Sequence, residues 1–255
     1  MTRIISVANQ KGGCAKTTTS VNLCAALFEA GKKVLLIDLD PQANASQWVG
    51  ADLDNEGVFE LFTTITELKK LIQTSESAGF DVIAGSRNLS TLEKALAGEM
   101  SVETKLKRSL LCLSEEHYDY VIIDTPPTLG LITLNALCAS SLVLITVTTH
   151  VMTLSGVAQL IQTLNEVKET QNPELSILGL LACRVDLRTR HSADVLDALT
   201  QRFGSQVLRT RIRENIRLAE APSFQQSILR YRSTSGAAED FRALAKEILK
   251  RTKDI

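Results

Sequence analysis

The sequence predicts an α/β fold, a doubly wound, mostly parallel sheet flanked by helices. Three observations predict it. Short β-rich runs alternate with longer helical patterns along the chain, which is the signature of parallel strands joined by crossovers. Several runs, VLLID and VIIDT among them, are apolar at consecutive positions, as strands covered on both faces must be. The segments rich in Gly, Lys and Asp fall where those strands end, and ligands of such sheets bind there.

Strands are expected at residues 4–8, 33–38, 80–84, 118–124, 142–147, 176–183 and 206–208. Helices are expected at 16–30, closed by Gly31, then at 89–113, 129–139, 154–169, 192–203 and 236–251. The last shows apolar spacing at Phe241, Leu244, Ala245, Ile248 and Leu249, one face of a 3.6-residue period. Neither a repeat nor a low-complexity linker divides the 255 residues, and residues 1–255 are read as a single domain.

Composition narrows the class. With 44% hydrophobic residues the chain can bury a substantial core, and a net charge of −1 gives the whole molecule no bias towards nucleic acid. Five cysteines lie far apart with no Cys-x-x-Cys pair, against a disulfide framework or a zinc site. The start lacks a basic-then-apolar signal pattern. No apolar run approaches the ~18 residues that span a bilayer. A soluble, intracellular protein is expected. His117, His150 and His191 have no metal-ligand spacing and read as surface or loop residues.

Between the first strand and the helix opening at Lys16 lies Lys11-Gly12-Gly13-Cys14-Ala15-Lys16-Thr17. The two glycines let the backbone turn its N–H groups towards phosphate oxygens, and the helix start adds unpaired N–H groups. In such a loop the Lys16 ammonium meets the β- and γ-phosphates and the Thr17 hydroxyl meets Mg²⁺, with Thr18 beside them. An ordinary Gly-Gly turn before a helix is the plain alternative. Against it stands the order strand, double Gly, Lys-Thr, helix.

The arrangement K-G-G-x-x-K-T resembles the deviant Walker A loop of the ParA/MinD family of P-loop ATPases. Asp38-Leu39-Asp40-Pro41-Gln42-Ala43-Asn44 resembles that family's first switch segment, and Asp124-Thr125-Pro126-Pro127 its second. Residues 211–223, RIRENIRLAEAPS, are similar to the Soj-type ParA signature, with Arg213 where Pro is usual. The resemblance covers nearly the whole chain. It implies ATP and Mg²⁺ as ligands and an ATP-dependent homodimer in which Lys11 reaches the partner subunit's nucleotide. It implies Lys11, Lys16 and Asp40 as catalytic residues, with Asp38 in support. Residues 12–18 would hold the phosphates. Thr17 would bind the metal directly and Asp40 and Asp124 through water. Arg213 and Asn215 would border the adenine. Ala15 stands where the family has Gly; if that position needs a positive φ, Ala strains it, and turnover is what it would affect.

Residues 184–232 hold ten arginines, no lysine and five acids, a net +5 that leaves −6 for the remainder. Such a cluster suits contact with phosphate backbone, although a solvated charged face has the same composition. By resemblance, Arg188 and Arg217 fall on positions that bind DNA non-specifically in Soj-type members, with Arg190 and Arg213 weaker candidates. Only 4% of residues are aromatic, which favours duplex over single-strand binding. The implied function is a chromosome- or plasmid-partitioning ATPase. It would be cytoplasmic and nucleoid-associated, slow alone, stimulated by a ParB-like partner and without stable membrane association. Alternatives are a MinD-like membrane-cycling ATPase, a nucleotide switch whose hydrolysis Ala15 impairs, and an iron–sulfur carrier on the same loop.

Overall fold

The computed structural model describes residues 2–64, 68–115, 118–149, 153–186 and 188–253; His117 and His150 lie outside them. In chain order the main elements are β1 (Arg3–Ala8), α1 (Lys16–Glu29), β2 (Val34–Asp38), β3 (Ile72–Thr74), β4 (Asp81–Ile83), β5 (Tyr120–Asp124), α2 (Leu131–Ala139), β6 (Leu142–Thr148), α3 (Thr153–Thr170), β7 (Ser176–Val185), α4 (Arg190–Phe203), β8 (Val207–Arg213) and α5 (Gly236–Arg251). The strands form one sheet in the order β3-β4-β2-β5-β1-β6-β7-β8. Every pairing is parallel except β3 with β4.

The central strands are buried on both faces, which their unbroken apolar runs require. Along β2, Val34 and Leu36 pack with Leu23 and Leu27 of α1 and Phe241, Leu244 and Ile248 of α5. Leu35 and Ile37 face the opposite layer, with Leu106, Leu110 and Ala136. Farther along the sheet, Val143, Ile145 and Val147 of β6 meet α3 and α4 through Val157, Leu160, Leu164, Val195 and Leu199.

Three elements differ from expectation. The helix expected at 89–113 is broken into a 3-10 turn at Arg87–Thr91, one α-turn at Leu92–Ala95 and a second group beginning at Val102. Leu89, Leu92 and Leu96 keep helical spacing, as do Leu106, Leu110 and Leu113. Between them Gly98 (φ +84) and Ser101 (φ 54) take left-handed conformations that stop a helix. Strand β8 extends to Arg213 rather than ending at 208. Leu208 and Ile212 are buried in the core and Val207 packs half-buried against it, while Arg209 and Arg211 point to solvent, so the alternation is masked by charge. The short antiparallel β3 had too few residues to show a period.

β8 ends the sheet, and acids of α5 occupy its free backbone donors. Glu247 accepts from the N–H of Arg209 (3.0 Å) and Thr210 (2.9 Å), and Asp240 from that of Arg213 (3.0 Å). An edge covered in this way offers no template to another strand. β1 lies centrally between β5 and β6. The chain leaves β1 towards β2 on one side, and the later strands extend on the other. The crevice beyond its carboxyl end is the topological switch point of the sheet.

Candidate functional site

A cleft of about 780 Å³ opens at that switch point. Its floor is the turn between β1 and α1. The turn is built by two left-handed residues, Gly13 (φ 71) and Ala15 (φ 61, ψ 26), with Ala15 capping α1. Asn9 Oδ1 steadies it by accepting the Lys11 N–H at 2.9 Å. A Cβ built on Gly12 or Gly13 would meet no atom within 4 Å. Packing of the protein against itself therefore gives no reason for glycine at either position.

Lys16 is nearly buried, and its ammonium donates to the Lys11 carbonyl at 3.3 Å. Burial pulls its pKa below the ordinary lysine value, against the opposing pull of Asp124, Cys14 and Asp40. One residue on, the Thr17 hydroxyl donates to Asp124 Oδ2 at 2.7 Å, and Ser20 donates to Asp124 Oδ1 at 2.8 Å. Asp124 ends β5 in register with Asp38, which ends β2. Both carboxylates are fully buried. Loss of solvation raises both pKa values, the neighbouring charge raises them further, and the hydroxyl donors oppose the rise.

The two aspartates of the first switch segment differ in what they hold. Asp38 accepts from the Ser46 N–H (2.8 Å), the Ser46 hydroxyl (2.7 Å) and the Asp40 N–H (3.1 Å). It thereby anchors the short helix Asn44–Trp48 below the cleft. Asp40 lines the cleft, and one oxygen accepts from the Gln42 N–H at 2.9 Å. Trp48 closes the segment from behind, donating to the Gln226 carbonyl at 2.7 Å.

The structure brings Gly12, Gly13, Cys14, Ala15, Lys16, Thr17, Thr18, Asp40, Arg213 and Asn215 to one cleft. Asp38 and Asp124 lie directly beneath it. The Lys11 side chain is outside the lining, and Lys11 is exposed. The Arg213 guanidinium faces α5, bonded to Asp240 (2.7 Å) and the Gly236 carbonyl (2.7 Å). Asn215 caps the helix Ile216–Glu220 by accepting from the Arg217 N–H. Arg188 and Arg217 are exposed outside the cleft, paired with Asp186 (2.9 Å) and Glu220 (2.7 Å). His191 is exposed on the first turn of α4. Sequence reasoning passed over Ser20 and Arg184. Ser20 sits one turn after Lys16 on α1, and only the packing of α1 against β5 brings its hydroxyl to Asp124; nothing local marks Arg184.

Comparison with known proteins agrees with this architecture. Residues 2–177 match the AAA_31 family model, described as an AAA domain. The chain is 40% identical over 251 residues to the sporulation initiation inhibitor protein Soj of Bacillus subtilis, covering 97% of this chain and 98% of that protein. It is 38% identical over 251 residues to the chromosome partitioning protein ParA of Myxococcus xanthus, covering 98% and 88%. The chain belongs to the Soj/ParA family of partitioning ATPases. Among solved structures, the cobyrinic acid a,c-diamide synthase of Mycobacterium smegmatis with bound ADP and magnesium superposes with a TM-score of 0.86 at 34% identity, covering 99% and 96%. The septum site-determining protein MinD of Pyrococcus horikoshii, complexed with Mg-ADP, superposes at 0.79 and 26% identity, covering 97% and 96%. In this Soj/ParA chain the loop and both switch segments fall inside the matched region. The cleft's far end and the paired arginines come from residues beyond 177.

Among the described residues no helix is long and apolar enough to cross a membrane, and no cluster of three or more His, Cys, Asp or Glu side chains could hold a metal ion by itself.

Proposed function

We propose that the chain, acting as one domain, is an ATP-driven partitioning switch that hydrolyses ATP slowly and holds DNA in its ATP-bound dimer. The observation that carries this reading is the alignment of Lys16 and Thr17 over Asp124 beneath a left-handed glycine turn. The residues present fit a triphosphate with its metal. Lys16 is buried with a single carbonyl partner among the described residues. Among those residues the Gln10 amide nitrogen is buried without a hydrogen-bond partner, and the space at Gly12 and Gly13 is open.

Residues 12–18 hold the phosphates through backbone N–H groups and the start of α1. Lys16 neutralises phosphate charge. Thr17 would hold the metal directly, and Asp124 and Asp40 would act on it through water. A bound Mg²⁺ supplies charge neutralisation to the phosphoryl oxygens. Asp40 orients the attacking water, and Asp38 keeps Asp40 in place by accepting its N–H. Lys11 lies at the exposed rim of the loop and serves the partner subunit's site in the dimer. Arg213 and Asn215 border the base.

Arg188 and Arg217 carry non-specific duplex contact. Dimerisation sets two weak surfaces side by side, so that they bind as one. A ParB-like protein stimulates hydrolysis and the dimer then releases DNA. The working location is the cytoplasm, on the nucleoid, without stable membrane association. Ala15 favours slow turnover, since its left-handed conformation is strained for a residue with a Cβ.

The test is phosphate release and a gel shift on random DNA with ATP, with ADP and without nucleotide. ATP-dependent binding that Arg217→Ala weakens supports the switch. Nucleotide-independent binding, or no phosphate release above that of Lys16→Ala, rejects it.

A further inference from the structure

The cleft has two ends. One is the phosphate turn. The other is formed by the tips of β7 and β8, where Arg184, Ile212, Glu214, Asn215, Leu218 and Ala219 line it. With phosphates on the turn, the base of a nucleotide falls at this second end, so a base-reading role there rests on the ATP reading.

Arginine reaches this end at two positions, 184 and 213. The Arg213 guanidinium is occupied by Asp240 and Gly236 of α5. Arg184 remains, at the tip of β7, half-exposed and with one side-chain partner among the described residues: its Nη2 donates to Glu214 Oε1 at 3.0 Å. The backbone of Arg184 is left-handed, φ 53. Such a conformation persists in a non-glycine residue only where the surroundings impose it, and it clusters at ligand sites. Here the Glu214 N–H bonds the Val185 carbonyl at 3.1 Å and the Thr149 hydroxyl bonds the Arg184 carbonyl at 3.4 Å. The two strand tips are thus tied together, side by side at the cleft mouth.

A guanidinium only donates hydrogen bonds and a carboxylate only accepts them. The pair uses one N–H and one oxygen on itself, leaving Glu214 Oε2 and the other guanidinium N–H groups. It offers a donor beside an acceptor. Adenine presents N7, an acceptor, beside its 6-amino donor, whereas guanine presents two acceptors, N7 and O6, on the same edge. We propose that the Arg184–Glu214 pair reads the base, Arg184 donating to N7 and Glu214 accepting from the 6-amino group, so that the cleft selects adenine over guanine nucleotides. Guanine O6 would face the carboxylate, acceptor against acceptor.

Both side chains are more than half exposed, and a pair of this kind adds little to folding. Its removal therefore leaves the fold intact, checked by an unchanged melting temperature. Titration calorimetry on the full chain with MgATP, MgGTP and inorganic tripolyphosphate separates base from phosphate recognition. The unaltered chain prefers ATP to GTP by about tenfold or more, as a matched bidentate contact gives. Glu214→Ala brings the two nucleotides to within about threefold, whereas Glu214→Gln, which keeps an acceptor, retains part of the preference. Arg184→Ala weakens ATP by roughly fivefold or more and leaves tripolyphosphate unchanged. An ATP/GTP ratio that survives Glu214→Ala, or equal losses of ATP and tripolyphosphate in Arg184→Ala, overturns the inference and leaves the ATP reading standing. An unaltered chain that binds neither ATP nor tripolyphosphate overturns both.

Discussion

Replacing Ala15 by glycine tests the strain in the phosphate turn. Ala15 sits at φ 61, ψ 26, and its methyl is partly buried against the cluster that contains α1. A left-handed alanine costs about 1–2 kcal/mol relative to the ordinary helical region, and glycine removes that cost. Two terms oppose the gain. Glycine gains freedom in the unfolded chain, about 0.4–1 kcal/mol. The lost methyl forfeits about half of the ~0.8 kcal/mol that a fully buried one contributes. The net expectation for Ala15→Gly is a stability change between roughly −0.4 and +1.2 kcal/mol, centred slightly on the stabilising side. Ala15→Val, β-branched in a conformation hostile to branching, should lose about 2 kcal/mol or more. Urea unfolding of the three proteins measures both values, and phosphate release with MgATP measures the consequence for turnover, which rises in Ala15→Gly. If Ala15→Gly loses more than about 1 kcal/mol, the methyl contact outweighs the backbone, and backbone strain at this position does not limit turnover.

Other variants probe the remaining contacts. Asp40→Ala should hold the ATP-bound dimer, seen by size exclusion as an ATP-dependent shift that persists instead of decaying; a variant that stays monomeric with ATP counts against the dimer. Arg217 is held by Glu220, which also accepts from the Tyr231 hydroxyl, so Glu220→Gln should strengthen duplex binding by about two- to fivefold at low salt. Arg217→Ala should reduce the slope of log affinity against log salt by about 1. Equal binding in both variants and the unaltered chain would remove Arg217 from the interface. Trp48→Phe removes the bond to the Gln226 carbonyl and should lower stability by about 1 kcal/mol in urea unfolding. Trp48 is the chain's one tryptophan, and its emission should change on adding MgATP to the unaltered protein.

Central strands and the first and last long helices were legible because each carries its own signal. Residues 34–37 are apolar throughout, and residues 236–251 repeat their apolar face every three to four positions. The region 89–113 misled because two short periodic groups of leucines flank a break at Gly98 and Ser101, and periodicity alone does not register the break. Strand β8 was cut short because its outward positions are arginines. In the cleft, the phosphate turn and the aspartates at strand tips were readable as contiguous motifs. Ser20 was not, since only the approach of α1 to β5 gives its hydroxyl a purpose.

Local chemistry within the sequence determined the order of strands and helices and the identity of the phosphate turn, because glycine freedom, apolar period and a lysine-threonine helix start act over a few neighbouring residues. Tertiary structure alone decided the left-handed geometry of Ala15 and the division of labour between Asp38, which holds the backbone, and Asp40, which faces the cleft. It also decided which arginines are occupied. A long charged side chain takes the partner that folding brings within reach, here Asp240 for Arg213, 27 positions away, and Glu214 for Arg184, 30 away. No spacing along the chain specifies that choice.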